Sequence, residues 1–195
     1  KLMIAQSDRM PKEEHMINYE KFIKNLVERY DGDGVEDMPR LSRPVLHYQI
    51  GNEYGNPAFW TGSVEQYFRL LKLASRAARN ANSNVKIIPS GLRTNDAFHN
   101  DPHAQRLEST LRKYESQVTD PFYFDCWLRM RKLDEGALQM KDVFDVVDAG
   151  GNGSWHTTSQ GYYTYVRRVL DRAGNQHIPI WDMEARNEPL LTPIK

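Results

Sequence analysis

Short apolar runs alternate along this chain with longer segments whose apolar residues recur every three or four positions. The short runs suit strands and the longer segments suit amphipathic helices. The predicted strands are LMIAQ (2–6), VLHYQI (45–50), VKIIPS (85–90), VFDVVDA (143–149) and IPIWDM (178–183). Alternating strands and helices predict right-handed crossovers and a parallel sheet, so this alternation limits the fold to the α/β class.

The helical segments have recognisable ends. Ser63 is a favourable N-cap for the second helix, and the turn-rich DGDG (31–34) closes the first. A glycine-rich loop follows the fourth strand. The predicted helices are 13–30, 64–80, 102–117, about 122–141, and 160–173.

A parallel sheet of this kind is either doubly wound or closed into a barrel. Five strands are enough for a flavodoxin-like sheet, whereas a full eight-stranded β/α barrel typically needs about 250 residues. The chain has 195 residues. We therefore expect a single domain over 1–195 which, if it is a barrel, lacks part of it.

Composition excludes several classes of partner. Lys plus Arg and Asp plus Glu number 26 each, so no overall basic field favours nucleic acid or an anionic membrane. No stretch approaches the roughly 20 apolar residues that span a bilayer, and residues 1–20 are charged throughout, unlike a signal peptide. The single Cys126 cannot form an internal disulfide.

Two glutamates follow predicted strands. Glu53, preceded by Asn52, comes after the second strand, and Glu184 comes after the fifth. The carboxyl ends of parallel strands open on one side, so closing the sheet would bring the two carboxylates face to face. Glycoside hydrolysis needs such a pair. A glutamate after a strand is also a common capping or surface group, and chemistry alone leaves both readings open.

The segment HYQIGNEYGNPAFW (47–60) resembles the strand-end Asn-Glu signature of retaining glycoside hydrolases on β/α barrels, the cellulase, β-xylosidase and β-galactosidase-like clan. IPIWDMEAR (178–186) is similar to the strand that ends in the clan's nucleophile. The resemblance implies a (β/α)8 TIM barrel in which Glu53 is the acid/base, Glu184 the nucleophile and Asn52 the partner of the sugar 2-hydroxyl. In the clan these glutamates end strands four and seven, and two predicted strands lie between them here.

By this resemblance the chain begins at strand three and stops after strand seven. Strands one, two and eight have no counterpart, and an open half-barrel would expose strand edges. We expect a missing segment or a second chain to complete the barrel. The implied partner is a carbohydrate substrate, and the export of many polysaccharide-degrading members favours an extracellular or periplasmic location.

Aromatic residues near the predicted strand ends suit stacking on sugar rings. Clan members often carry an aromatic residue or a histidine after strand six, and Trp155 with His156 is the nearest equivalent here. Trp181 lies inside a predicted strand, where it would either fill the barrel or line a cleft. The predicted substrate-binding residues are Asn52, Tyr54, Trp60, Trp155, His156 and Trp181.

Other motifs support neither a metal nor a cofactor. HNDPH (99–103) spaces two histidines like metal ligands, but its proline argues against a helix presenting both. DGDG lacks the distal glutamate of a calcium loop. GGNGS (150–154) lacks the spacing of a phosphate-binding loop. Two alternatives remain: a noncatalytic carbohydrate-binding barrel protein, and a doubly wound nucleotide or small-molecule binder that uses GGNGS.

Overall fold

The computed structural model of the protein describes residues 2–4, 10–52, 60–89, 136, 139–148, 166–167 and 169–181. A short 3-10 turn, Glu13–His15, precedes the first helix. The elements are β1 (Leu2–Ile4), α1 (Met16–Tyr30), β2 (His47–Ile50), α2 (Val64–Ala81), β3 (Lys86–Ile88), β4 (Val147–Asp148) and β5 (Ile180–Trp181). The fold is thus a mixture of helices and short parallel strands.

The described strands follow one another in the order of the sequence. β1, β2 and β3 form one parallel sheet in that order, and β4 pairs in parallel with β5. The backbone joins the two sheets, because the Asp145 N–H donates to the Ile87 carbonyl oxygen at 2.8 Å. A doubly wound sheet reverses its strand order at a switch point, and the described strands contain no such reversal.

All five predicted strands are confirmed, although each is shorter than its apolar run. The predicted first and second helices correspond to α1 and α2, and residues 166–167 and 169–172 of the predicted helix 160–173 are helical. Predicted helix 102–117 and most of 122–141 lie outside the described residues. Neither α1 nor α2 combines the length and apolar character that spanning a membrane requires.

A capping box starts α2. The Ser63 hydroxyl accepts a hydrogen bond from the Gln66 N–H at 3.2 Å, and the Gln66 side chain accepts one from the Ser63 N–H at 2.8 Å. These two bonds satisfy backbone donors that have no partner within the helix. The apolar face of α2 packs against α1 and the sheet; its buried members are Val64, Tyr67, Leu70, Leu71, Ala74, Ser75, Ala77 and Ala78.

A Schellman motif connects the last described helical residues to β5. Gly174 adopts a left-handed φ of 76°, its N–H donates to the Asp171 carbonyl, and the Asn175 N–H donates to the Leu170 carbonyl. The Arg167 guanidinium donates to the carbonyls of Asn175 and Ile178. Glycine thus ends the helix where the sequence predicted, and Arg167 fixes the connection into β5.

The two faces of the sheet differ in composition. Side chains alternate along a strand, and those that point toward the helices, here called the helix face, are apolar and buried: Tyr48, Ile50, Ile87, Val147 and Ile180. The opposite side, here called the mixed face, is formed by His47, Gln49, Ile88, Val146, Asp148 and Trp181. Gln49 and Asp148 on the mixed face are only 1% and 2% exposed.

Candidate functional site

The chain turns sharply at the carboxyl end of β2. Ile50 ends the strand, and Gly51 adopts a φ of 79° in the left-handed region, where a side chain would add strain. Asn52 follows and is half-buried. The glycine of the IGNE motif therefore redirects the chain immediately before the predicted acid/base.

Side chains from both faces of the sheet hold this turn. On the helix face, the buried Tyr67 hydroxyl donates to the Ile50 carbonyl oxygen at 2.8 Å. On the mixed face, Gln49 Nε2 donates to the Gly51 carbonyl oxygen at 2.8 Å and to Asn52 Oδ1 at 3.4 Å. Side chains thus fix two successive backbone carbonyls, that of Ile50 at the end of β2 and that of Gly51 after it, and Gln49 connects the Asn52 side chain to the sheet.

Gln49 is buried with part of its hydrogen-bonding capacity unused. Its Oε1 has no hydrogen-bond partner among the described residues. A buried acceptor without a partner costs about 1–3 kcal/mol. An apolar side chain would avoid that cost, but it would lose the two hydrogen bonds that Gln49 Nε2 donates to the turn.

Among the predicted site residues, Asn52, Trp60 and Trp181 are described. Glu53, Glu184, Tyr54, Trp155 and His156 lie outside the described residues, as do HNDPH, GGNGS and Cys126. The structure places Asn52 at the carboxyl end of β2, where the sequence predicted it. The pairing of the two glutamates stays a prediction.

Trp60 lies in the hydrophobic core. Only 3% of it is exposed, its ring meets Tyr67 edge to face with centroids 6.0 Å apart, and its indole N–H donates to the Ser63 carbonyl oxygen at 3.1 Å. These contacts are those of a packing residue that supports the start of α2. Stacking of Trp60 on a sugar stays a prediction, and the described contacts do not add to it.

Trp181 lies far from Asn52. Its ring centroid is 5.3 Å from that of His47, the first residue of β2. A strand advances about 3.3 Å per residue, so Trp181 packs near the amino end of β2 while Asn52 follows the carboxyl end. The two roles left open for Trp181, filling the barrel and lining a cleft, both stay predictions.

His47 and Trp181 also line an open cavity of about 520 Å³ at the amino ends of the strands, together with Lys86, Asp145 and His177. Burial lowers the pKa of His47, and the nearby positive charge of Lys86 lowers it further, against an opposing effect of Asp145. The net effect favours the neutral form of His47. This cavity lies at the end of the strands opposite to the predicted catalytic loops.

Three carboxylates of the DGDG region lie close together. Oxygens of Asp31, Asp33 and Asp37 all fall within 4.8 Å of one another. They accept hydrogen bonds from the backbone N–H groups of Gly32, Asp33, Gly34 and Val35. The cluster has the ligand atoms of a hard cation, but its described role is to build the turn after α1.

Sequence reasoning did not assign Gln49 or the Tyr67 hydroxyl to the site. Tyr67 lies in the predicted helix 64–80 among residues that recur every three or four positions, and this periodicity gives no information about what its hydroxyl contacts. The sequence does give an indication for Gln49. Strand alternation places it on the other face of the sheet from Tyr48 and Ile50, and it lies three residues before Asn52. A glutamine within an apolar predicted strand is unusual enough to predict a polar role.

Comparisons with known proteins add a likeness of fold. No protein-family model and no curated protein matches the chain. The chain is similar in structure to a glucosidase from Croceicoccus marinus, with a TM-score of 0.53 and 13% sequence identity. The similarity covers 91% of this chain and 32% of that one, so the chain spans about a third of the glucosidase's length. At this identity the similarity concerns the fold alone.

Proposed function

We propose that the protein is a retaining glycoside hydrolase that cleaves β-glycosidic bonds of an oligo- or polysaccharide. The observation that carries the proposal is the construction of the carboxyl end of β2, where Gln49 and Tyr67 fix the turn that leads through Asn52 to Glu53. The glycosidase-like fold supports it independently. The noncatalytic carbohydrate-binding protein is the competing outcome.

In the proposed mechanism, Glu184 attacks the anomeric carbon while Glu53 donates a proton to the departing glycosidic oxygen. The bond from carbon to that oxygen breaks as the bond from carbon to the Glu184 carboxylate forms. Glu53, now ionised, takes a proton from water, which attacks the same carbon and releases Glu184. Retention of configuration requires the two carboxyl groups to lie about 5–5.5 Å apart.

Substrate contacts follow from the same arrangement. Asn52 donates to the sugar 2-hydroxyl, a contact that strengthens as the transition state forms. Tyr54, Trp155 and His156 are proposed to line the carbohydrate cleft. Trp60 and Trp181 have described ring contacts with Tyr67 and His47, respectively, and stacking of either residue on a sugar stays a prediction.

The proposed architecture is a (β/α)8 barrel that further strands complete. Two observations support it: the sequential parallel order within β1–β2–β3 and within β4–β5, and the buried polar residues on the mixed face. In a closed barrel the mixed face becomes the interior. The completing strands come from a further segment of the polypeptide or from a second chain.

The first test uses Glu184→Gln and Glu53→Gln in the whole protein with aryl β-glycosides. Glu184→Gln should lower kcat by more than about 1,000-fold, because no glycosyl-enzyme can form. Glu53→Gln should still release a good leaving group such as dinitrophenolate in a burst, since that group needs no proton, and then turn over slowly.

Matched variants of exposed glutamates elsewhere, such as Glu14→Gln on the surface, should retain wild-type rates. Full activity of both active-site variants would refute the assignment of Glu53 and Glu184. Binding of oligosaccharide by a wild-type protein that hydrolyses none of the glycosides would favour the noncatalytic alternative.

A further inference from the structure

We infer that Gln49 is a positioning residue that sets which end of the Asn52 side-chain amide faces the sugar. The inference rests on the proposed function and deepens it, since it concerns recognition of the 2-hydroxyl by the same site. It begins from the pair of hydrogen bonds that Gln49 Nε2 donates, to the Gly51 carbonyl oxygen and to Asn52 Oδ1.

The backbone fixes the orientation of the Gln49 amide. Rotating that amide by half a turn would place Oε1 about where Nε2 now lies, 2.8 Å from the Gly51 carbonyl oxygen, and two acceptors would face each other. The nitrogen of Gln49 therefore points to the turn. Burial at 1% exposure leaves the side chain no room to release this contact into solvent.

The fixed Gln49 nitrogen then selects the orientation of Asn52. An N–H group of Gln49 meets Oδ1 of Asn52 at 3.4 Å, whereas the reversed Asn52 amide would set its own N–H groups against that donor. Asn52 Nδ2 consequently lies on the side away from Gln49. A sugar oxygen on that side meets a donor rather than an acceptor.

The direction matters because a hydroxyl can both donate and accept, whereas each end of an amide does only one. A donated hydrogen bond to the 2-hydroxyl oxygen leaves the hydroxyl proton free to bond elsewhere. The buried Oε1 of Gln49 has no partner among the described residues, and retaining that unsatisfied atom agrees with a need for the amide nitrogen.

The experiment compares Gln49→Met and Gln49→Glu with the wild type on an aryl β-glycoside and on its 2-deoxy analogue. Met keeps the volume without the donor, and Glu replaces the donor by an acceptor. Both should lower kcat/KM for the 2-hydroxyl substrate by about 10- to 100-fold more than for the 2-deoxy substrate, because loss of the bond to Gly51 affects the two substrates alike and only loss of the bond to Asn52 depends on the 2-hydroxyl.

Two control variants separate orientation from general damage. Gln176→Met changes an exposed glutamine and should leave both substrates unaffected. Tyr67→Phe removes the hydrogen bond from the Tyr67 hydroxyl to the Ile50 carbonyl oxygen. It should lower stability and change kcat/KM for both substrates by the same factor. An equal loss on both substrates in Gln49→Met would overturn the inference.

An NMR measurement tests the hydrogen bond without activity. The Asn52 side-chain NH₂ signals should shift in Gln49→Met and stay in place in Gln176→Met. If the wild type hydrolyses no glycoside, the proposed function fails, and this measurement alone decides the inference. Unchanged Asn52 signals in Gln49→Met would overturn it.

Discussion

The helix face and the mixed face of the sheet both contain buried residues, but these residues are of different kinds. Tyr48, Ile50 and Ile87 on the helix face pack into one hydrophobic core with α1 and α2. On the mixed face, Ile88, Val146 and Trp181 form a small separate cluster beside the polar Gln49 and Asp148. Burial alone therefore does not distinguish a stabilising face from a functional one.

The buried residues of the two faces differ in how much they contribute to the free energy of folding. Apolar side chains on the helix face gain free energy in proportion to the area they remove from water, about 25 cal/mol per Å². Burial of the polar Gln49 contributes less free energy and leaves its Oε1 acceptor unsatisfied. The Gln49 amide nitrogen nevertheless orders the turn that leads to Glu53. The helix face should control stability, and the mixed face with its carboxyl edge should control activity.

Removing core volume behind the helix face should have the largest effect on stability. Leu71 is fully buried, so Leu71→Ala should lower the free energy of unfolding by about 2–5 kcal/mol through lost burial and a residual cavity. The activity per folded molecule should be unchanged. Urea denaturation and active-site titration measure the two quantities.

Ile17→Ala is the matched control, because Ile17 on α1 is 55% exposed; it should change the free energy of unfolding by less than about 0.5 kcal/mol. A large loss of kcat in correctly folded Leu71→Ala would break the proposed division between the faces.

A smaller effect is expected at the junction of the two sheets. Asp145 Oδ2 accepts hydrogen bonds from the Ile87 N–H and from Arg79 Nη2, both at 2.8 Å. Asp145→Ala should lower the free energy of unfolding by about 1–3 kcal/mol, since a backbone donor loses its partner. Thermal and urea unfolding would measure it.

Asp171→Ala removes an exposed i,i+4 pair with Arg167 and should cost under about 1 kcal/mol. Equal losses in the two variants would mean that the Asp145 carboxylate does not join the strands in solution.

The smallest effect concerns the pH response of the mixed face. Burial holds the pKa of His47 below its ordinary value of 6.5, so below that pH the unfolded chain binds more protons than the folded one. Stability from this group is present above pH 6.5 and is lost as the pH falls through the lowered folded pKa. Melting temperatures between pH 7.5 and 5 should therefore fall less in His47→Phe than in the wild type.

His15→Phe, which changes an exposed histidine, should preserve the wild-type pH dependence. The quantity compared is the slope of melting temperature against pH, because His47→Phe also changes the contact with Trp181 and so shifts the melting temperature at every pH. Identical slopes in His47→Phe and the wild type would show that His47 does not contribute to the pH dependence of stability.

The fold was predictable where the periodicity was strong. The stripe on α2 and the Ser63 cap identified that helix almost to the residue, because local hydrogen bonds and one apolar face determine it. The strands appeared at the predicted places but were shorter, since a ladder requires a paired neighbour and an apolar run continues without one. Strand order was not predictable from the local pattern, which fits both doubly wound sheets and barrels.

The site was predictable only in part. The position of Asn52 followed from its place after β2, whereas the contact between Trp181 and His47 joins residues distant in the sequence and depends on how the strands are staggered. The bond from Tyr67 to Ile50 also depends on the packing of α2 over β2. Periodicity identifies the face on which a residue lies, and tertiary packing decides which atom it meets there.

The sequential strand order has a consequence for synthesis on the ribosome. Each of β2 and β3 pairs with the strand that precedes it in the chain, and α1 and α2 contact each other. A newly made strand and helix can therefore dock on a unit that has already emerged, without waiting for distant residues. Among the described strands of the first sheet, growth by addition of one unit at a time leaves two edges unpaired at each stage, that of the most recent strand and the outer edge of β1.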